Sequence, residues 1–518
     1  MYFSLEAVMR KTLFVKNAAV LTATSLTLRF AGIVFKVWLA KRIGADGIGL
    51  YGLVFSLYAV AAAGTASGIP VAVTRLIAES GTDGKPVVSA AFGLNLIISF
   101  ATGAVFFLFS DFFAESIIGD PRAALSIKVL AFSVVFMGIG AVIRGYFIAR
   151  RNALPGAVSQ VLGQGIRIGL VLFALYLAKG ADLSVTCAAV FLGDTVAEIL
   201  SCLYLYLRYR FDLKKVKAFL APSNTFRRLF SISFPITSGK YLNSILRAGE
   251  NMLVPRALFR FSEEGALAVF GMIKGMALPV LFFPSVLLGA VSTLLIPEMS
   301  EAAGKRRILA VRSAVEQVLC AALTVGFIFS AIFAAAGYKI GDLLYESRDV
   351  GFLLCALAPI VPLMYIDSLC DGILKGLNQQ NFTFKVSVAD SAARLLIVFP
   401  VVSHFGVKGF IIIMYFSNLF TALLNVRRLI KISNAAINPQ KTVLIPVLCA
   451  FCVTLLTKVF LDFLSLSNLV YIILISAISI FVYFSLLFHF GCINFINVGR
   501  IRTHKKYAAK TTATSLIK

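Results

Sequence analysis

Two basic side chains interrupt an otherwise apolar stretch near the start of the chain, LRFAGIVFKVW at residues 28–38. Arg29 and Lys36 are seven residues apart, so a helix places them on about one face, separated by roughly 10 Å along its axis. An ionised side chain at the centre of a bilayer costs at least about 2.5 kcal/mol, so it usually faces water or a partner. Two such cations suit a phosphate or diphosphate group, which Arg grips with a planar fork and Lys with a point charge. The alternative is that Lys36 extends to the membrane interface and Arg29 pairs with an acid of another helix.

A second polar stripe lies in KYLNSILRAGENMLVPRALFR at residues 240–260. Its members recur every three or four residues, a spacing that puts them on one broad helix face. The basic members are candidates to face Arg29 across a cavity, whereas Glu250 is also placed to neutralise Arg247 three residues before it. The members of the stripe are Lys240, Asn243, Arg247, Glu250 and Asn251.

Carboxylates inside apolar stretches are candidates for ion coupling. Asp371, Asp390 and the nearby Arg394 lie on neighbouring predicted spans, and Asp194 and Glu198 lie on an earlier one. Such groups could carry protons or Na⁺. The alternatives are an internal salt bridge between Asp390 and Arg394, and a position of Asp371 at the membrane edge beside Lys375. We predict no cofactor or metal, with H⁺, Na⁺ or the membrane potential as candidate driving forces.

The elements that hold these residues are predicted to be membrane-spanning helices. The chain has 518 residues, of which 59% are hydrophobic and 14% charged, with a mean hydropathy of +0.91; soluble domains are about 25% charged. Apolar runs of roughly 20 residues, enough to cross the hydrocarbon layer, recur along the sequence. We predict an all-α polytopic membrane protein with about fourteen transmembrane helices, including spans at 48–74 and 266–296.

The net charge of +25 is distributed between alternate loops. Basic clusters at 150–151, 208–228, 304–307, 425–431 and 499–506 alternate with loops that carry mainly Asp and Glu. This pattern argues against nucleic acid as a partner, and by the positive-inside rule it places both termini in the cytoplasm. The first apolar run is long enough to span and no small-residue cleavage site follows it, so we predict no cleaved signal peptide. The expected location is a bacterial cytoplasmic membrane.

The two halves of the sequence resemble each other. Arg167 and Arg394 are 227 residues apart, as are Pro70 and Pro297, while Arg29 and Arg247 are 218 apart. Six spans in each half give both copies the same orientation, an arrangement of transporters that bind substrate between the halves. The predicted segments are a first lobe at 1–207, a basic linker at 208–228, a second lobe at 229–430, two additional helices at 431–490 and a basic tail at 491–518.

Four stretches resemble the multidrug, oligosaccharidyl-lipid and polysaccharide flippase superfamily. They are residues 28–53, 64–79, 269–304 and 372–397, and the third is most similar to the stage V sporulation protein B and polysaccharide-biosynthesis branch, which is related to the lipid II flippases. The resemblance implies a V-shaped pair of lobes that alternates between inward-open and outward-open states. It also implies an undecaprenyl-diphosphate-linked glycan as substrate, with the lipid tail held outside or in a groove by the extra helices, and membrane lipids and cell-wall or spore-envelope synthesis enzymes as partners.

The resemblance also implies a basic cavity. The first cavity arginine of the lipid II flippases falls at Arg29, the next meets Phe35 with Lys36 one position further, and a third falls near Ser56, which is not basic. Lys274 lies where these relatives have a basic residue in the eighth helix. The departure at Ser56 leaves the identity of the saccharide open.

The function predicted from these features is a flippase rather than an enzyme. The chain would carry a peptidoglycan precursor or polysaccharide repeat unit, on its lipid diphosphate, across the membrane by alternating access. The alternatives are a cation-coupled multidrug exporter of the same superfamily, a membrane glycosyltransferase or polymerase acting on lipid-linked sugars, and a non-transporting scaffold. A drug exporter predicts an acidic cavity and a glycosyltransferase needs acidic residues in an outer loop, so the basic bias of the two stripes favours the flippase.

Overall fold

The protein is helical throughout the described part of the chain. The computed structural model describes residues 2–80, 84–213, 224–262, 265–286, 288–289, 299, 302, 304, 307–464 and 466–492. Ten helices in this part are long and apolar enough to cross a membrane. The prediction of an all-α multi-pass membrane protein is confirmed.

The first lobe contains six main helices. They are, in chain order, α1 (Tyr2–Ala66), α2 (Gly68–Ser80), α3 (Lys85–Leu108), α4 (Ala124–Ala149), α5 (Leu154–Leu177) and α6 (Leu183–Leu213). Within the lobe, α4 packs against α3 and α6, and α5 packs against α6. A short π-turn at Phe113–Ile118 lies in the connection between α3 and α4.

In the described residues, the second lobe has five main helices, and two further helices follow it. The lobe consists of α7 (Thr225–Phe261), α8 (Ala266–Phe282), α9 (Ile308–Tyr345), α10 (Arg348–Gly376) and α11 (Gln380–Ser433). The additional helices, α12 (Ile445–Asp462) and α13 (Asn468–His489), pack against α9. Since residues 214–223 and 493–518 lie outside the described residues, the predicted boundaries of the linker and tail stay predictions.

Two of the long helices are broken at glycines. Gly44 within α1 has φ 73° and ψ −178°, and Gly406 within α11 has φ 56° and ψ −136°. Positive φ is accessible to glycine without the steric cost that other residues meet. A straight helix of 65 residues would be about 98 Å long, three times the hydrocarbon thickness, so each break divides a long helix into two shorter segments. The predicted separation of the first two spans near residues 41–48 is consistent with the break at Gly44.

The predicted span at 48–74 is divided between α1 and α2. Ser67 lies between them, and its hydroxyl donates to the Ala63 carbonyl. Pro70 has no backbone N–H to give to the carbonyl of Ala66, which weakens the continuity of the helix here. The predicted eighth span, 266–296, lies partly outside the described residues, so the count of fourteen also stays a prediction.

Glycines allow the two lobes to approach each other closely at both ends of their shared interface. At one end, a Cβ added to Gly271 of α8 would clash with the Ala45 carbonyl, and one added to Gly49 would clash with the Leu267 carbonyl. At the other end, a Cβ on Gly68 would clash with the Ser233 carbonyl in α7. We call the end with the basic loops the basic face and the opposite end the acidic face. The lobes are therefore in contact near both faces.

Candidate functional site

The two cations of α1 lie on a face of the helix that meets the second lobe. Arg29 and Lys36 are both exposed. A Cβ built on Gly289, which follows α8, would lie 2.6 Å from Nη1 of Arg29, and the rings of Phe30 and Phe283 are 5.9 Å apart. Among the described residues, no carboxylate lies within ion-pair distance of either cation. The alternative, an ion pair between Arg29 and an acid of another helix, is therefore not found among the described residues.

The stripe on α7 separates into exposed cations and bonded polar groups. Lys240 and Arg247 are exposed, and like the pair on α1 they are seven residues apart. Nε of Arg247 donates to Oδ1 of Asn243 at 3.1 Å, and Nδ2 of Asn243 donates to Oγ of Ser387 on α11 at 2.9 Å. Arg247 is thus positioned by a neutral amide, and it makes no ion pair with Glu250.

Glu250 belongs to a buried ion cluster inside the second lobe. Its carboxylate is 2% exposed, and it lies 3.4 Å from Nζ of Lys274 and 3.2 Å from Nη1 of Arg394. Nε of Arg394 also lies 3.1 Å from Asp390, which accepts a hydrogen bond from Ser417 at 2.6 Å. Two cations and two carboxylates balance, which satisfies the requirement that a buried charge have a partner. We call these four charged residues the second-lobe ion cluster.

The second-lobe ion cluster joins three helices of one lobe. Glu250 is on α7, Lys274 on α8, and Asp390 and Arg394 on α11. The salt bridge between Asp390 and Arg394, which the sequence offered as the alternative to ion coupling, is present. Glu250 and Lys274, predicted as cavity residues, contact each other, and Glu250 also contacts Arg394, so they can hold the helices together without presenting free charge to a ligand.

The first lobe contains a related but simpler pair. Nε of Arg167 on α5 lies 2.9 Å from Oδ1 of the buried Asp194 on α6. Arg167 is the repeat partner of Arg394, so the corresponding arginine in each lobe is neutralised by an acid, although the acids come from different helices. The sequence placed Arg167 and Asp194 on neighbouring spans without pairing them. The offset that Arg167 shares with Arg394, which has an acid one turn away, was the signal that could have suggested an acidic partner for Arg167.

Asp371 lies apart from the other candidates for ion coupling. Its Oδ2 is 2.5 Å from Nζ of Lys375 one turn later, near the end of α10, as the alternative reading of this residue predicted. The nearby Asp367 accepts a hydrogen bond from Nδ2 of Asn425 at 2.8 Å. The structure therefore brings Asp390 and Arg394 together and leaves Asp371 in a local pair.

One polar contact between the lobes was not predicted. Nδ2 of Asn251 on α7 donates to Oγ of Ser56 on α1 at 2.9 Å, while Oδ1 of Asn251 is buried without a hydrogen-bond partner. Asn251 follows Glu250 directly, so this contact between the lobes is adjacent to the second-lobe ion cluster. Only the polar character of Ser56 within an apolar helix pointed to this contact.

Comparisons with known proteins relate the chain to membrane transporters. A family model described as polysaccharide biosynthesis protein matches residues 14–303. The chain is 26% identical over 416 residues to stage V sporulation protein B of Bacillus subtilis (strain 168), covering 77% of this chain and 80% of that protein.

Solved structures show the same fold. The lipid II flippase MurJ in an inward closed conformation matches with a TM-score of 0.69 at 14% identity, covering 92% of this chain and all of that chain. An inward-facing multidrug resistance transporter of the MATE family matches with a TM-score of 0.64 at 15% identity, covering 80% of this chain and 98% of that chain. These identities relate the folds alone.

The family model covers more than half of the chain, and it includes three of the four stretches that resembled the superfamily, 28–53, 64–79 and nearly all of 269–304. The protein belongs to the polysaccharide biosynthesis protein family, within the multidrug, oligosaccharidyl-lipid and polysaccharide flippase superfamily of transporters.

Proposed function

We propose that the protein flips an undecaprenyl-diphosphate-linked glycan across the bacterial cytoplasmic membrane by alternating access. The observation that carries this proposal is that seven basic residues of the spans fall into two kinds. Arg167, Arg394 and Lys274 are neutralised by buried acids, whereas four exposed cations have no carboxylate partner among the described residues. These four are Arg29, Lys36, Lys240 and Arg247.

The four exposed cations suit a diphosphate group that moves along the membrane normal. The internal repeat relates Arg29 to Arg247, so we expect them at similar depth in opposite lobes. Lys36 lies about 10 Å further from the basic face on α1, and Lys240 lies about 10 Å nearer to it on α7. A diphosphate leaving one level would therefore find another cation on its path, which limits the cost of removing its charge from water.

Alternating access requires the lobes to separate at one face while they remain in contact at the other. The glycine contacts near both faces and the bond between Asn251 and Ser56 are among the contacts that must break and re-form, as are those of Lys41 with Glu346 and of Arg256 with the Ile117 carbonyl. A substrate can leave only if neither state binds it much more tightly than the other. Similarity to stage V sporulation protein B and to lipid II flippase MurJ supports a lipid-linked glycan as cargo. Enzymes that build the cell wall or spore envelope would supply and consume it.

The proposal is tested with purified protein in vesicles that contain fluorescent undecaprenyl-diphosphate saccharides. We expect Arg29→Ala with Arg247→Ala to reduce the initial flipping rate by about tenfold or more, because each removes a charged hydrogen-bond donor. Lys36→Ala alone is expected to have a smaller effect. Runs with imposed pH, Na⁺ or voltage gradients identify the driving force.

The matched control is Lys128→Ala, which removes a partly exposed cation already paired with Asp111. Its flipping rate should equal that of the unmodified protein. An unchanged rate in the double arginine variant would exclude the cation pathway. Uptake of cationic drugs without glycan flipping would favour the multidrug exporter.

A further inference from the structure

A membrane-facing groove lies on the first lobe, away from the contact with the second. It is bounded by α3, α4 and α6, has a volume of about 420 Å³ and is almost wholly apolar. Its lining residues are Phe92, Leu96, Phe136, Ile139, Ile199, Cys202, Leu203 and Tyr206. Several of them remain accessible, with Leu96 42% and Leu203 50% exposed. A volume in this range is typical of pockets that hold small molecules.

The groove lies nearer the basic face. The ends of α3, α4 and α6 at that face meet in one apolar cluster that includes Val88, Phe147 and Tyr209. The rings of Phe92 and Tyr209 are in edge contact at 6.1 Å. Because the surrounding helices are apolar spans, the molecules beside this groove are lipid chains, and those within reach belong to the leaflet that borders the basic face.

The two helices at the sides of the groove carry cations at its basic-face end. Arg210 follows Tyr206 by one turn on α6, and Lys85 precedes Phe92 by about two turns on α3, so each continues the stripe that lines the groove. Both side chains are exposed. Lys85 is also the first residue of α3, whose N-terminal end attracts anions. Charge at this end therefore complements an anionic group.

The carboxylate in this region does not neutralise those cations. Asp212 accepts a hydrogen bond from the Tyr146 hydroxyl at 2.7 Å and lies 3.4 Å from Nε of Arg150. Within the described ranges, neither Lys85 nor Arg210 forms an ion pair. An apolar channel that leads to two unpaired cations matches the shape and charge of a single anionic lipid.

We propose that this groove binds one anionic glycerophospholipid of the leaflet at the basic face. One acyl chain occupies the groove between Leu96 and Leu203, and the phosphate lies between Lys85 and Arg210. The site is separate from the path between the lobes, and its lipid is a structural partner that stabilises the packing of α3, α4 and α6.

The test compares the protein with phosphatidylglycerol and with phosphatidylcholine in neutral detergent. Ligands that bind the folded state raise its melting temperature, so phosphatidylglycerol should raise it more than phosphatidylcholine of the same chain length. Native mass spectrometry should show one tightly retained phosphatidylglycerol. Lys85→Gln with Arg210→Gln should weaken phosphatidylglycerol binding by about 30-fold, because each surface cation contributes about fivefold.

A second variant tests the position of the acyl chain. Leu96→Trp places a larger apolar side chain at the groove without adding charge, so it should remove the retained lipid. The matched control is Arg427→Gln with Lys431→Gln, which removes two exposed cations at the basic-face end of α11 and should leave the preference unchanged.

Several results would overturn the proposal. They are equal shifts with the two phospholipids, a phosphatidylglycerol preference that survives either groove variant, loss of the preference in the control, and tighter binding of undecaprenyl phosphate than of phosphatidylglycerol. Because none of these measurements depends on flipping, failure here is distinguishable from failure of the proposed transport function.

Discussion

At the scale of single residues, the basic side chains of the spans differ by their partners. The sequence offered the salt bridge between Asp390 and Arg394 as an alternative to ion coupling, because residues four apart on a helix are neighbours. It could not predict the partners of Glu250, since Lys274 is 24 residues away and Arg394 is 144 residues away in sequence. Tertiary packing determines such pairs. Although Glu250 follows Arg247 by three residues, it pairs with Lys274 and Arg394 instead.

The second-lobe ion cluster predicts the effect of losing its central acid. Glu250→Gln leaves Lys274 and Arg394 with one carboxylate between them, and removing one partner of a buried ion pair costs about 3 kcal/mol or more. The free energy of unfolding in mixed micelles should fall by about this amount.

Asp371→Asn is the matched control for that variant. It breaks a pair whose side chains are 39% and 51% exposed, so its effect should stay below about 1 kcal/mol. Equal losses in the two variants would contradict the structural importance assigned to the second-lobe ion cluster.

At the scale of helices, hydropathy predicted most of the fold. Uninterrupted apolar runs identify α3, α9, α12 and α13, since a spanning helix must satisfy its own backbone and bury its side chains in lipid. The polar stripe lowers the apolar character of α7, which is absent from the ten strongly apolar helices of the described part. Hydropathy also does not reveal how closely two helices approach, because the distance between them depends on where glycines, which have no side chain, lie in the contact.

The contact of α8 with α1 predicts a consequence of adding a side chain. Gly271→Leu would introduce atoms where the Ala45 carbonyl now lies, so the lobes should separate at the acidic face. Spin labels at Lys179, in the turn after α5, and at Arg348, the first residue of α10, both at that face, should report a longer mean distance.

Gly169→Leu serves as the control for this experiment. A Cβ at Gly169 meets no atom within 4 Å, so the labels should keep their original separation. An unchanged distance in Gly271→Leu would show that the acidic-face contact does not depend on the glycine.

At the scale of the whole molecule, the repeat in the sequence predicted two related lobes, and the paired arginines Arg167 and Arg394 show how that relation extends to chemistry. The repeat did not predict how the lobes meet. Residues at the interface must be complementary to the residues they contact in the other lobe, and these are not their repeat partners. Asn251 and Ser56 form such a contact at 2.9 Å, although they occupy unrelated positions in the two halves.

This contact predicts that joining the lobes will stop transport. In a background without the eight native cysteines, Ser56→Cys with Asn251→Cys should form a disulfide on oxidation and abolish glycan flipping, because the lobes can no longer separate. Reduction should restore the rate.

The matched pair for this experiment lies within one lobe. Ser159 and Ser201 hydroxyls are 2.7 Å apart between α5 and α6, so Ser159→Cys with Ser201→Cys should also cross-link while flipping continues. Continued flipping with the lobes joined at residues 56 and 251 would contradict alternating access through this interface.

The packing of α12 and α13 on α9 affects how motion is shared between the lobes. Lys339 on α9 pairs with Asp462 at the end of α12 at 3.8 Å, and the Tyr483 hydroxyl of α13 donates to the Thr324 carbonyl of α9 at 3.1 Å. The two helices must therefore travel with the second lobe, which displaces more lipid than the first and meets more viscous drag. In the proposed alternating-access motion, the first lobe should therefore make the larger excursion relative to the bilayer.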